Sequence, residues 1–207
     1  MFRMRNFFAG AVRRRARRPR VSIGLLYGGV SLLLLATAGW AAGYRLNLTP
    51  SYPVGLWRIV ASPETARRGD LVLVCPPDTA PVRLAQARHY LPAGSCPVGV
   101  QPLLKRLVAL PGDRVVVTSE AVTINGRPIP NSAPLLVDPS GRSMPVATGG
   151  LVPPGTAWLL SDYHRLSFDS RYIGPMDLVQ LRGVVAPVLV SGVAGAAERS
   201  DYEGSRD

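Results

Sequence analysis

PLLKRLVALPGD, residues Pro102–Asp113, contains Lys105, the only lysine in a chain of 207 residues. Apart from two histidines, every other basic side chain is arginine. Arginine stays protonated in proteins, whereas an ammonium loses its proton when it is desolvated. A single lysine in such a sequence therefore marks a position that needs a neutral amine. Read as a strand, the segment alternates and puts Leu103, Lys105, Leu107 and Ala109 on one face. A lysine between leucines faces a dry surface, which lowers its pKa. Work as a base near neutral pH needs a drop of about 3 units from ~10.4, or ~4 kcal/mol. The segment alone fits a surface lysine at a strand edge equally well.

Outward from this stretch, charge divides the chain. The formal net charge is +11, but residues 1–20 hold eight arginines and no acid, which leaves +3 for the rest. The basic block reads as an arm and not as a nucleic-acid-binding face. From Val21 to Tyr44 no residue is charged. A helix of that length reaches about 36 Å, enough to cross a hydrocarbon core of ~30 Å. This predicts a basic cytoplasmic arm at 1–20 and a transmembrane anchor at 21–44, with Trp40 and Tyr44 at the far interface. The arginines before it, against Arg45 alone just after it, put the N-terminus in the cytoplasm. Ala36-Thr37-Ala38 has the small-x-small form of a signal-peptide cleavage site, but the apolar run is long for a signal peptide and favours an uncleaved anchor.

The exported part, 45–191, is long enough for one core. Its apolar runs are short and β-branched: Leu71–Val74, Arg114–Thr118, Ala121–Ile124, Ala157–Leu160 and Val184–Val190. That pattern predicts a mainly β domain, with a hairpin at Asn125-Gly126. The one helix is predicted over Pro81–Leu91, with Leu84, Ala87 and Leu91 on its apolar face and His89 solvated. Cys75 and Cys96 are the only cysteines. In an oxidising compartment they favour a disulfide around a loop of about 20 residues, worth roughly 3 kcal/mol. Two cysteines without neighbouring ligands argue against a metal, and nothing calls for a cofactor. The polar tail 192–207 reads as disordered.

A base needs a nucleophile. Ser51 lies seven residues past Tyr44, in Asn47-Leu-Thr-Pro-Ser-Tyr-Pro-Val-Gly55. Pro50, Pro53 and Gly55 exclude helix and hold the serine in an exposed turn near the membrane surface. A serine with a neutral lysine as its base is a known variant of triad chemistry. In TPSYPVG, LLKRLVALPGD and Ser167-Phe-Asp-Ser-Arg-Tyr-Ile-Gly174 the chain resembles the type I signal peptidases, a serine–lysine family (S26). It is most similar to their conjugative-transfer, TraF-type branch, through Ser-x-Pro-x-Gly at the serine and Cys96-Pro97 ahead of Pro102–Arg106.

The resemblance covers roughly Asn47 to Pro187 and implies a role for each matching residue. Ser51 is the nucleophile and Lys105 the general base. Thr49 supplies a side-chain oxyanion donor beside the Ser51 backbone N–H, and Ser167 orients the lysine. Asp169 and Arg171 brace the loop, with Ser170 and Gly174 completing it. Because a carboxylate beside the amine would raise its pKa, Asp169 should face Arg171. Ser161-Asp162-Tyr163 departs from the family's usual Gly-Asp-Asn, which leaves Asp162 without an assigned role. The implied fold is a coiled antiparallel β-sheet domain beside the membrane, behind one N-terminal transmembrane helix. Its apolar rim touches lipid, and its pockets take alanine-like side chains.

The implied activity is that of a membrane-anchored endopeptidase at the periplasmic face of the inner membrane, acting on secretory or pilin precursors. A general signal peptidase and a non-catalytic anchored component of a secretion or conjugation apparatus are the alternatives. A self-cleaving repressor lacks a DNA-binding domain here. The arginine arm suits anionic lipid headgroups and gives no reason for a nucleic-acid partner.

Overall fold

The computed structural model of the chain describes residues 23–191; the arm 1–20, Val21, Ser22 and the tail 192–207 lie outside the described residues. The uncharged run forms helix α1 (Ile23–Ala41), with a mean hydropathy of 1.5 over Gly24–Ala41. The predicted span to Tyr44 is longer than the helix. Gly43 adopts φ +88° and returns its N–H to the Trp40 carbonyl at 3.1 Å, which stops the helix and turns the chain into a strand that begins at Tyr44. Arg45 stacks its guanidinium 3.6 Å over the Trp40 ring.

The rest is mainly β. Seven strands, β1 (Tyr44–Asn47), β2 (Gly55–Ala61), β3 (Leu71–Val74), β4 (Leu103–Ala109), β5 (Arg114–Val117), β6 (Val122–Ile124) and β7 (Arg127–Pro128), precede a long loop. After it come β8 (Gly150–Leu151), β9 (Thr156–Leu160), β10 (Met176–Asp177) and β11 (Leu181–Val190), with short helices α2 (Ala80–Ala87) and α3 (Ser170–Ile173) between strands. They form a seven-stranded curled sheet, β1-β2-β11-β3-β4-β9-β10, and a four-stranded sheet, β7-β6-β5-β8. Every pairing is antiparallel. The predicted Asn125-Gly126 hairpin joins β6 to β7, with φ of +51° and +82° at the two residues, as a primed turn requires.

Two expectations change. β4 is a strand, but a register shift against β9 between Leu107 and Ala109 breaks its alternation. Leu103 and Leu107 join one core cluster, whereas Ala109 joins Val108 in another. Helix α2 stops at Ala87 and buries Val82 and Ala85, leaving Ala87 exposed. The disulfide decides this: Cys75 and Cys96 are bonded and lie in the same core cluster as Val82, Ala85 and Leu91, so the loop's ends set which face turns inward. His89 lies past the helix end, exposed, at φ +59°.

β11 crosses the sheet between β2 and β3 and fixes the strand that follows the Ser51 turn. Gly55 makes that contact possible. Its φ is +146°, and a Cβ there would meet the Leu189 carbonyl oxygen at 2.2 Å. Gly55→Ala should therefore destabilise the fold by about 2 kcal/mol or more, read as a lower midpoint in thermal or denaturant unfolding.

Candidate functional site

Lys105 sits mid-way along β4, opposite Val72 of β3. Leu103 and Leu107 lie two residues to either side, and the lysine itself is only 1% exposed. Burial pulls its ammonium down from the ordinary 10.5 to about 8; nearby Asp169 acts to raise it, and Arg171 to lower it. Its Nζ lies 2.9 Å from Ser51 Oγ and 2.5 Å from Ser167 Oγ. The two serine oxygens are 3.3 Å apart. A neutral amine keeps two N–H groups and one lone pair. It can donate to Ser167 and present the lone pair to the Ser51 proton.

Ser51 rides on the turn between β1 and β2. Pro50 and Pro53 have no N–H to give, so the turn's carbonyls need side-chain partners. Asn47, the last residue of β1, supplies most of them: its Nδ2 lies 3.0 Å from the carbonyls of Thr49 and Tyr52 and 3.1 Å from that of Pro53. The indole of Trp57 donates to the Pro53 carbonyl as well, at 3.1 Å. Ser161 donates its hydroxyl to the Ser51 carbonyl at 2.6 Å. The Ser51 N–H has no partner among the described residues. Thr49 lies beside it, but its hydroxyl donates to Asn47 Oδ1 at 2.8 Å, so in this structure its proton is directed away from a carbonyl on Ser51.

The third segment comes from the loop after β9. Asp169 and Arg171 are both fully buried and form a two-point pair, Nη2 to Oδ2 at 2.7 Å and Nε to Oδ1 at 2.8 Å. The carboxylate also accepts the Ser161 and Arg171 backbone N–H groups. Arg171 donates further to the carbonyls of Asn131, Arg165 and Ser167. The carbonyl of Ser167 is thus fixed while its hydroxyl is left for Lys105. Ser170 accepts the Leu159 N–H at 3.0 Å, joining the loop to β9. Gly174 closes α3 at φ +84° and donates its N–H to the Ser170 carbonyl.

One network was not anticipated by motif reading. Tyr52 donates to Asp162 Oδ1 at 2.5 Å, and Arg106 Nε donates to Asp162 Oδ2 at 2.6 Å. Tyr52 follows Ser51 and Arg106 follows Lys105, so one carboxylate ties the neighbours of both together. Burial, then Asp162, pushes the Tyr52 phenol far up and keeps it a donor. The signal in the sequence was the aspartate in Ser161-Asp162-Tyr163, whose partners are far away in the chain. Asn47 and Ser161 were also missed, because their roles depend on backbone carbonyls that no motif spells out.

Ser51 and Lys105 open into a cavity of about 390 Å³. Its walls are mostly apolar, with Leu48, Leu91, Leu103, Met144, Phe168 and Tyr172 among them. Around the turn, Leu46, Leu48 and Leu189 are exposed apolar side chains.

Three kinds of comparison bear on this arrangement. A family model described as "Signal peptidase, peptidase S26" matches residues 21–190. A probable conjugal transfer protein TraF of Sinorhizobium fredii is 43% identical over 176 residues, 85% of this chain and 93% of that one. A conjugal transfer protein TraF of Agrobacterium fabrum is 42% identical over 163 residues, 77% and 92% of the two chains. A plasmid transfer protein TraF of Escherichia coli is 38% identical over 172 residues, 82% and 96%. Among solved structures, a signal peptidase I from Enterococcus faecalis aligns with 59% of this chain and 97% of its own at 22% identity, with a TM-score of 0.36.

Proposed function

The chain belongs to the signal peptidase S26 family, and on that premise we propose that it is a membrane-anchored serine endopeptidase with Ser51 as nucleophile and Lys105 as base. The observation that carries this is a fully buried amine, with a pKa lowered to about 8, 2.9 Å from a serine hydroxyl on a cavity. Ser51 attacks the scissile carbonyl and its proton passes to Lys105 Nζ. The tetrahedral oxyanion takes the Ser51 N–H, together with the Thr49 hydroxyl once that hydroxyl turns from Asn47. Lys105 returns the proton to the leaving amine, and an acyl-enzyme remains on Ser51. Water activated by the same lysine then releases the acid. Ser167 holds the amine toward Ser51, and the Asp169–Arg171 pair holds Ser167.

The substrate class we propose is an exported precursor with small residues before the cut, and in the context of conjugation a pilin precursor. The names of the TraF relatives support that context. Helix α1 serves as a single-pass anchor of the inner membrane, N-terminus inward and catalytic domain periplasmic. The exposed Leu46, Leu48 and Leu189 meet the bilayer lipid beside the turn.

The test is cleavage of such a precursor by the full chain in detergent across pH. The neutral amine is the active form, so kcat/KM should rise with pH and level off above an apparent pKa close to 8. A flat profile from pH 6 to 9 for a chemistry-limited substrate would remove Lys105 as the base.

A further inference from the structure

The turn that carries Ser51 has the composition of a segment that cannot hold itself. Thr49-Pro50-Ser51-Tyr52-Pro53 contains two prolines. Two of its five backbone donors are missing, while all five carbonyls remain. A regular turn closes on its own backbone bonds; this one closes on the side chain of the residue that ends β1. Asn47 Nδ2 reaches the carbonyl of Thr49 before the serine and those of Tyr52 and Pro53 after it, so its bonds straddle Ser51. Asn47 Oδ1 accepts the Thr49 N–H at 3.1 Å and the Thr49 hydroxyl at 2.8 Å. The orientation of the amide is forced: only its NH2 can face three carbonyls, and only its oxygen can face an N–H. Asn47 itself is fixed by β1, where it pairs with Gly55 of β2, the far end of the same turn.

We propose that Asn47 is the positioning residue of the nucleophile, the group that sets the place of Ser51 Oγ relative to the Lys105 amine. This rests on the reading of Ser51 as nucleophile. No other side chain in the described structure bonds to both sides of the turn. Ser161 fixes the Ser51 carbonyl, and Trp57 fixes that of Pro53, each at one point. Asn47 also holds the proton of Thr49, so its contact with that hydroxyl must be exchanged when an oxyanion forms. A serine displaced by about 1 Å loses roughly 100-fold in rate, and this sets the size of the expected effect.

The experiment uses the full chain in detergent and the p-nitrophenyl ester of acetyl-alanine. Ser51 attacks the ester carbonyl, Lys105 takes the serine proton, p-nitrophenolate leaves, and water later hydrolyses the acyl-serine. The burst amplitude counts competent sites and the burst rate reads their geometry. Asn47→Asp keeps an oxygen for Thr49 but turns a second oxygen toward three carbonyls; Asn47→Ala removes every bond and serves if the aspartate variant does not fold. Expected is a burst in the wild type that Ser51→Ala abolishes, and a burst rate about 100-fold lower in either Asn47 variant. A residue that only helps the fold would lower the amplitude and leave the rate alone. A wild-type burst rate in the folded Asn47 variants overturns the inference while Ser51 stands. A wild type without a Ser51-dependent burst overturns the nucleophile assignment, and the positioning role falls with it.

Discussion

Lys105→Arg should abolish cleavage of a precursor by at least ~10³-fold while the protein still folds into the membrane, and Ser51→Ala should do the same. The arginine variant is the sharper of the two. It retains a positive charge on β4 and removes the ability to become neutral, since a guanidinium does not deprotonate in proteins. Co-expression of each variant with an alanine-bearing pilin precursor, followed by a gel for the mature product, reads the result. Full activity in Lys105→Arg would end the serine–lysine assignment. The two losses should not add, because nucleophile and base act as a unit.

The same lysine lowers stability in a way that pH exposes. Its pKa is near 8 in the folded protein and about 10.4 in an unfolded chain. Between those values the unfolded chain binds more protons, so stability rises with pH across the window. Below it the buried ammonium destabilises the fold by about 3 kcal/mol. Lys105→Met, inactive, should unfold at a higher temperature than the wild type at pH 7, and the gap should close near pH 10.5.

The second large effect falls on Asp169. Asp169→Ala leaves the Arg171 guanidinium fully buried without its carboxylate, a change that costs about 3–5 kcal/mol. For a domain of this size that corresponds to a melting point lower by roughly 10 °C. The Ser161 N–H loses its acceptor in the same step. Since Ser161 also holds the Ser51 carbonyl, activity should fall in the molecules that remain folded. Circular dichroism melts with a cleavage assay at low temperature separate the two effects. An Asp169→Ala protein that melts with the wild type would show that the pair carries little of the fold. Replacing both partners by apolar residues of matching volume is the control, since a buried pair removed whole costs far less than one broken.

Much of the sheet was legible: β3, β5, β6 and β11 lie under predicted runs with β-branched side chains and largely period-two burial. β9 lies under an apolar run buried from Ala157 to Leu160. The two residues of the proposed dyad stood out because a lone lysine and a proline-flanked serine are local facts, and the fold brings them to 2.9 Å of each other. β2 was not legible. Its burial alternates from Trp57 to Ala61, but the outward-facing Val60 is apolar, so the alternation is not written in the sequence's hydrophobicity. β7, β8 and β10 are two residues long, too short for any periodicity. The face of α2 was misjudged because eight residues make barely two turns, and the Cys75–Cys96 bond outweighs so weak a pattern. Tyr52, Arg106 and Asp162 meet across more than 50 positions of chain, which only a folded backbone can bring together.

That the only lysine is buried has a practical side. The folded domain shows solvent no side-chain amine at all. Reagents that acylate amines reach this side chain through the cavity it shares with Ser51, or when β4 comes away from its neighbours. With the cavity filled by a substrate analogue, the labelling that persists reports local opening at the centre of the sheet, with no engineered probe.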